Sequence, residues 1–342
     1  MIRMKAFYIT GPQQYEFRDI PMPKLQTPTD VLVKVKAAGI CGSDIHSFNG
    51  DNINFEFGRI PGHEITAEVV EVGPAVTTLR PGDRVVHEIM RSCGKCYACL
   101  HGQPNVCKEL TISGVHRDGG FCEYMVADQR RWHRFPESIA YDDGVMMEPY
   151  TIGAHAVSRG RVLPGDDVLI YGAGPIGLSA LEMAIAAGAR VFISDIAPNR
   201  LELAKDFGAY RAINSKEEKV PEVLLAETGG NGPNVVIDCA GLTYIAGEAL
   251  KIITPAGRFV QVAYIRDEVS IPIVAVGAKE VSIIGSRLEH DDFESVIRAF
   301  PDKLEHVKRL ISHRFPFAQA GEAFMQAVKP GAQNGKIVVV MD

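Results

Sequence analysis

The 342-residue chain contains no uninterrupted apolar run of membrane-spanning length, and Met1 to Lys5 lead into FYITGPQQYEF, which has neither an apolar core nor a small-residue cleavage site. With no such segment, the expectation is a cytoplasmic protein that neither spans nor is exported across a membrane. Basic residues are not in excess: 36 Lys and Arg stand against 42 Asp and Glu, a formal net charge of −6. Such a field repels nucleic acid and anionic membrane, so polyanionic partners are not expected. Internal repeats and low-complexity linkers are absent as well. Cysteine is scarce, with seven in the chain, yet four of them fall in RSCGKCYACLHGQPNVC, Arg91 to Cys107.

What is present is the composition of a packed globular protein, 46% hydrophobic and 23% charged. The length suits two domains better than one. Up to about Tyr124 the chain alternates short β-rich runs (AFYI, VLVKVKAAGI, AEVVEVG, DRVVHEI) with Gly and Pro, which reads as an irregular, mostly antiparallel β-domain with no long helix before Ile139. After Tyr150 the texture changes to strand-like and helix-like runs in alternation, DVLIYGAG, LSALEMAIAAG, RVFISDI, NRLELAKDFGA, VVIDCAG. That is the pattern of βαβ units on a parallel sheet. The closing stretch, from DDFESVIRAF to GKIVVVM, is too short for a third domain and is expected to rejoin the first.

Cys93, Cys96, Cys99 and Cys107 are spaced C-x2-C-x2-C-x7-C. In a reducing compartment such a cluster points to metal rather than disulfides, and four thiolates suit a closed, structural zinc site. Spacing alone also admits an iron-sulfur cluster. A second set, Cys41 in GICGSDIH with His63 and Glu64 in PGHE, offers a thiolate, an imidazole and a carboxylate, a mixture compatible with an open catalytic zinc. Glu148, in MEPY, is the candidate to close or gate that site, directly or through water.

Gly172-Ala173-Gly174-Pro175-Ile176-Gly177 follows the strand DVLIY and opens a helix, the context a dinucleotide fingerprint requires. Asp195 ends the next strand, where a carboxylate accepts from ribose hydroxyls and repels a 2′-phosphate, so NAD is expected over NADP. Arg200 nearby is either a solvated residue at a helix start, lying over the adenine, or a counter-ion for a 2′-phosphate.

In order and spacing, GICGSDIH, PGHE, the four-cysteine lobe, MEPYTIGAHA and GAGPIG resemble the zinc-dependent medium-chain dehydrogenases over essentially the whole chain. Within them the sequence is most similar to the sorbitol (polyol) branch and to bacterial hexonate 5-dehydrogenases of the L-galactonate and L-idonate type, to which GVHRDGGFCEY and IIGSRL point. The resemblance implies a GroES-like catalytic domain from residues 1–150 and 288–342 with a zinc lobe at 91–108, and a Rossmann NAD-binding domain at 151–287. It implies two zinc ions per chain and transfer of hydride between NAD and a secondary hydroxyl of a polyol or sugar acid. Cys41, His63 and Glu64 match the catalytic ligands of the polyol branch, and Glu148 its nearby glutamate, where the alcohol dehydrogenase branch has a second cysteine. Ser43 and His46 match a proton relay.

For the substrate, Arg287 matches an arginine that contacts it in the polyol branch. Here it would bind a carboxylate or else form an ion pair at the domain junction. His116 and Arg117 are expected to add to an anion site, and Phe48 to wall the pocket. The tyrosine that follows the arginine in polyol dehydrogenases is Leu288, which argues against a plain copy of sorbitol specificity. Threonine or butanediol dehydrogenase is the nearest alternative, and a non-catalytic NAD-binding sensor the alternative of another class. VSIIGS resembles an edge through which such enzymes pair, so a homodimer or homotetramer is expected.

Overall fold

The computed structural model describes residues 2–329 and 335–341. The chain forms two compact units, Met1–Glu148 with Phe293–Asp342, and Pro149–Asp292. The return to the first unit comes at Phe293, a little beyond the expected 288. Asp292 stays with the second unit, where its carboxylate lies 3.2 Å from Nδ1 of His155 in the helix Met147–Arg159. Among the described residues no helix is long and apolar enough to cross a membrane.

The first unit is built on a seven-stranded sheet. Its order runs Ile311–Pro316, Lys336–Val340, Asp30–Ile40, Glu64–Val72, Arg84–His87, Trp132–Arg134, with Tyr124–Asp128 also paired to Asp30–Ile40. The C-terminal strand thus inserts beside the longest N-terminal one, antiparallel, with Ile337 opposite Ile40. The expectation excluded only a long helix before Ile139; a short one forms there, Gly42–Asn49. Its start is fixed by Asp44, whose Oδ2 accepts the Cys41 N–H at 2.9 Å, and Gly50 ends it in the left-handed conformation at φ 85°.

That helix carries Phe48 inward. Phe48 is fully buried, 5.3 Å from the ring of Phe324, which also packs on Phe7 (5.1 Å) and Phe121 (5.2 Å). Phe48 is therefore a core residue, and its expected role as a pocket wall is corrected: it has no surface left to offer a ligand.

The second unit holds six parallel strands in the order Arg211–Asn214, Arg190–Asp195, Asp167–Tyr171, Val235–Asp238, Arg258–Gln261, Ser282–Gly285. Counted along the chain this is 3-2-1-4-5-6, the doubly wound Rossmann order. The strands are nearly continuous apolar runs because helices cover both faces.

Phe324→Ala removes the ring common to three aromatic contacts. It should destabilise the first unit by about 3–5 kcal/mol, read as an earlier denaturation transition. A loss below about 1 kcal/mol would mean that the cluster does not anchor the core.

Candidate active site and metal centres

Three neighbouring strands deliver one constellation. Gly39 pairs with Glu64, so Cys41, just past the end of one strand, meets His63 and Glu64 at the start of the next. The register of the C-terminal strand sets Lys336 beside them. Donor atoms of Cys41, His63 and Glu64 all lie within 4.8 Å of one another. His63 and Glu64 are buried. Gly39 is required here: a Cβ on it would sit 2.1 Å from Glu64 Oε2.

Two residues to which the sequence assigned no role complete the arrangement. Lys336, itself buried, donates from Nζ to Glu64 Oε1 at 2.5 Å, while Glu64 Oε2 is buried with no protein partner. A carboxylate held by one oxygen, with the other facing a thiol and an imidazole, is what a metal ligand requires, because buried polar atoms are otherwise satisfied. Asp44 is the second. Its Oδ2 takes the Cys41 N–H and its Oδ1 the Gly62 N–H at 3.1 Å, and Oδ1 lies 3.7 Å from His63 Nδ1. One carboxylate thus ties both ligand-bearing segments, while His63 Nδ1, near it, is buried without a hydrogen bond. Asp44 could have been found as the third residue of a helix whose cap is Cys41; Lys336, 272 residues from Glu64, leaves no local signal.

Glu148 stands outside the trio whose donor atoms converge, yet it is buried and responds to their charges. Burial, joined by the like charges of Glu64 and Asp44 and opposed by His63 and Lys336, raises its pKa to about 7. Ser43 places Oγ 3.4 Å from His63 Nε2. His46 is largely exposed at the end of the same helix, its Nδ1 2.9 Å from Asp51 Oδ1. Ser43 and His46 therefore lie on the helix that begins just after Cys41, with His63 just before and Glu64 at the start of the next strand. His116 and Arg117 sit on a separate loop, with His116 Nδ1 accepting the Ile112 N–H and Arg117 Nη2 donating to the Ile89 carbonyl. Arg287 is an exposed residue of the other unit, just after the strand Ser282–Gly285.

The cysteine lobe, closed at its base by the pairing of Met90–Arg91 with Thr111–Ile112, brings all four sulfurs within 4.8 Å of one another. Cys96 Sγ lies 3.5 Å from Cys99 Sγ and 3.8 Å from Cys107 Sγ. A tetrahedron with zinc-sulfur arms of about 2.3 Å has edges of about 3.8 Å, so the lobe fits one ion and is too tight for a multi-iron cluster. Backbone N–H groups of Cys93 and Glu109 point at Cys107 Sγ. Hydrogen bonds from the backbone of Cys99 and Lys108 pull the Cys96 thiol down to about 6, while burial and the neighbouring thiols push that of Cys99 up to about 11. Cys96 thus has the surroundings of a thiolate.

In the second unit the fingerprint glycines each meet a distinct demand. Gly172 has φ 92°, and a Cβ on Gly177 would lie 1.8 Å from the Gly172 carbonyl oxygen. Gly174 has nothing within 4 Å of where its Cβ would be, which leaves the backbone open to a pyrophosphate at the start of the helix Pro175–Ala186, whose first two residues are Pro175 and Ile176. Asp195 accepts from Ala173, Ile196 and Ala197 N–H groups and so holds that turn, with one lone pair, on Oδ2, remaining for a ribose hydroxyl. Arg200 Nη1 is 3.7 Å from its Oδ2.

Residues 27–137 match the alcohol dehydrogenase GroES-like domain and residues 175–302 the zinc-binding dehydrogenase domain. The chain belongs to the zinc-binding alcohol dehydrogenase family. It is an oxidoreductase of the medium-chain, zinc-dependent kind, with a nicotinamide dinucleotide as cofactor and a small molecule as substrate. Among curated relatives it is 37% identical to the starvation-sensing protein RspB of Escherichia coli K12, over 94% of each chain. It is 33% identical to L-galactonate-5-dehydrogenase of the same organism, over 91% of each. A crystal structure of rspB from E. coli CFT073, complexed with NADH, superposes with a TM-score of 0.92 at 36% identity over 99% of each chain.

In this dehydrogenase, Asp44→Asn leaves one carbonyl oxygen where two carboxylate oxygens each accept a backbone N–H. Metal affinity at Cys41, His63 and Glu64 should fall about 10–100-fold, the usual effect of losing a group that orients ligands. Chelator competition combined with metal stoichiometry would read this as loss of one ion per chain while the lobe keeps its own. Equal retention of both ions would refute the clamp.

Proposed function

We propose that the chain moves hydride between NAD and a secondary hydroxyl of a polyol or sugar acid, with one zinc ion at Cys41, His63 and Glu64 and a second in the cysteine lobe. The observation that carries this reading is the Glu64 carboxylate, pinned through one oxygen by Lys336 and unpartnered at the other beside a thiol and an imidazole. That mixed set leaves a coordination position open, as catalytic zinc requires, whereas four cysteines do not. When bound, zinc supplies Lewis acidity that lowers the pKa of the substrate hydroxyl, and NAD supplies the hydride acceptor.

The chain's own groups then handle the proton. Ser43 Oγ, beside His63, is placed to take it from the hydroxyl and pass it toward His46, which Asp51 holds in one orientation. Glu148, buried beside the charges of His63 and Glu64, is a second acceptor. NAD is favoured over NADP because the Asp195 carboxylate occupies the end of its strand, and Arg200 is already drawn to it. A homodimer or homotetramer fits the edge position of the strand Ser282–Gly285 with Ile283 exposed. The expected setting is the cytoplasm. The presence of Ser43, His46 and every zinc ligand weighs against a sensor without turnover.

The test is the initial rate of NAD reduction over polyols, hexonates, threonine and butanediol, with and without prior chelation. Chelator-sensitive oxidation of a polyol or hexonate is expected; preference for threonine or butanediol, or no turnover with zinc bound, would overturn the assignment. Ser43→Ala should lower kcat at least tenfold, the lower end of a proton-transfer contribution, with zinc content unchanged. Unchanged turnover would remove the serine route and leave Glu148.

A further inference from the structure

A doubly wound sheet receives its ligand at the carboxyl ends of its strands, where the winding reverses. In the second unit that point lies between the strands Asp167–Tyr171 and Val235–Asp238. The glycine fingerprint follows the first of these, and Asp195, the carboxylate suited to the adenosine ribose, ends a strand on the same side. A dinucleotide whose pyrophosphate lies on the fingerprint therefore has its other nucleoside over the ends of Val235–Asp238 and Arg258–Gln261. The nearer of these ends adjoins the fingerprint: a Cβ on Gly172 would lie 3.1 Å from the Ala240 nitrogen.

One carboxylate builds both ends. Asp238 is fully buried, and the groups that hold it are neutral. Its Oδ1 accepts the Ala240 and Gly241 N–H groups, each at 2.9 Å, and its Oδ2 accepts from Gln261 Nε2 at 3.0 Å. Gln261 Nε2 also donates to the Ala263 carbonyl at 2.9 Å, and the Asp238 carbonyl accepts the Val262 and Ala263 N–H groups, each at 3.0 Å. The turn after one strand and the turn after its neighbour thus share one side chain. They also touch: Gly241 has φ 71°, and a Cβ there would lie 2.9 Å from the Ala263 Cβ. Burial raises the Asp238 pKa, and the three donors oppose that rise.

An ordinary turn does not need this much. Capping Ala240 and Gly241 takes one oxygen, which an asparagine supplies equally well. The second oxygen serves the link to Gln261. The strand ladder already holds the sheet together up to the pair Asp238 and Gln261, so the side-chain bond at its end sets the turns and not the register. Leu242, Tyr244 and Tyr264 follow on these turns with their large side chains exposed, an apolar surface of the kind that takes a planar ring.

We infer that Asp238 and Gln261 are positioning residues for the nicotinamide end of the cofactor. Asp238, being buried, acts through the turns at 239–241 and 262–264, whose spacing it fixes together with Gln261. The inference rests on the nicotinamide dinucleotide of the family and is independent of the substrate and of the choice between NAD and NADP.

The test compares NADH with ADP-ribose, which differs from the cofactor by the nicotinamide alone, on the full-length enzyme loaded with zinc. Calorimetry gives both affinities, and the emission of bound NADH reports the surroundings of its ring. In Asp238→Asn one oxygen still caps Ala240 and Gly241, but an amide NH2 group faces Gln261 Nε2. The Kd for NADH should rise about tenfold, the weight of a hydrogen bond to a charged group, while that for ADP-ribose stays within about twofold. The emission of bound NADH should shift toward that of the free molecule, and kcat should fall because a ring out of line slows hydride transfer.

Gln261→Met removes the link from the half-buried partner; it should show the same selective loss, and it keeps the test open if Asp238→Asn does not fold. Asp238→Asn combined with Gln261→Glu reverses donor and acceptor and should restore part of the NADH affinity. Equal weakening of NADH and ADP-ribose, or unchanged affinity for both in folded variants, would overturn the inference while the cofactor assignment stands. An unaltered chain that binds neither molecule would remove the cofactor assignment, and the inference with it.

Discussion

One buried carboxylate organises the catalytic half of the molecule. Asp44 accepts the N–H of Cys41 through one oxygen and the N–H of Gly62 through the other, so the two segments that carry thiolate, imidazole and carboxylate cannot separate without breaking a charge-assisted bond. The remaining geometry follows from this tie. The helix Gly42–Asn49 starts where Asp44 caps it, which points Ser43 at His63 and sends Phe48 into the aromatic core on the far side. Desolvation of Asp44 raises its pKa, and the His63 ring and the two backbone donors are the forces that oppose this. The tie and the ligand set are thus electrostatically one object.

How much of this was legible in the sequence depended on how local each cause was. The zinc lobe, the glycine fingerprint and PGHE are short because their chemistry is short: donors must converge within a few residues, so spacing carries the information. The alternation of strands and helices in the second unit could be read for the same reason, since each βαβ unit is local; the strand order came only with the structure. Phe48 was misassigned because its neighbours in GICGSDIH have chemical roles, and only the helical turn from Cys41 to Asn49 reveals that position 48 faces the core. The helix itself escaped notice because its cap is a cysteine, not the serine or threonine that usually signals one. Lys336 was out of reach for a different reason. Its significance lies in the register of strands, and nothing adjacent in the chain hints at it.

The two proposed metal sites meet opposite demands. In the lobe, four sulfurs spaced like the edges of one tetrahedron, with backbone N–H groups aimed at one of them, leave no position for a further ligand; an ion held there would substitute for a hydrophobic core in a segment where few side chains are buried. At Cys41, His63 and Glu64 the sheet provides the rigidity instead. A metal there can keep an open position, because the strands, and not the ion, hold the ligands in place.

The Lys336–Glu64 pair explains how such a site tolerates its own charge. Cys41 as thiolate, Glu64, Asp44 and Glu148 would crowd negative charge into a buried volume, and an isolated buried carboxylate is strongly destabilising. Lys336 removes part of that excess at the one ligand that can spare an oxygen, and its Nζ, 3.4 Å from the Ile40 carbonyl, is anchored to the end of the strand that precedes Cys41. The lysine comes from the last strand of the chain, inserted next to the first long one. The folding step that joins the C-terminal segment to the N-terminal sheet is therefore the step that makes the carboxylate ligand affordable in the interior. A chain lacking that strand would leave Glu64 both unpaired and free to rotate, so the closure of the sheet and the competence of the metal site have a common physical cause.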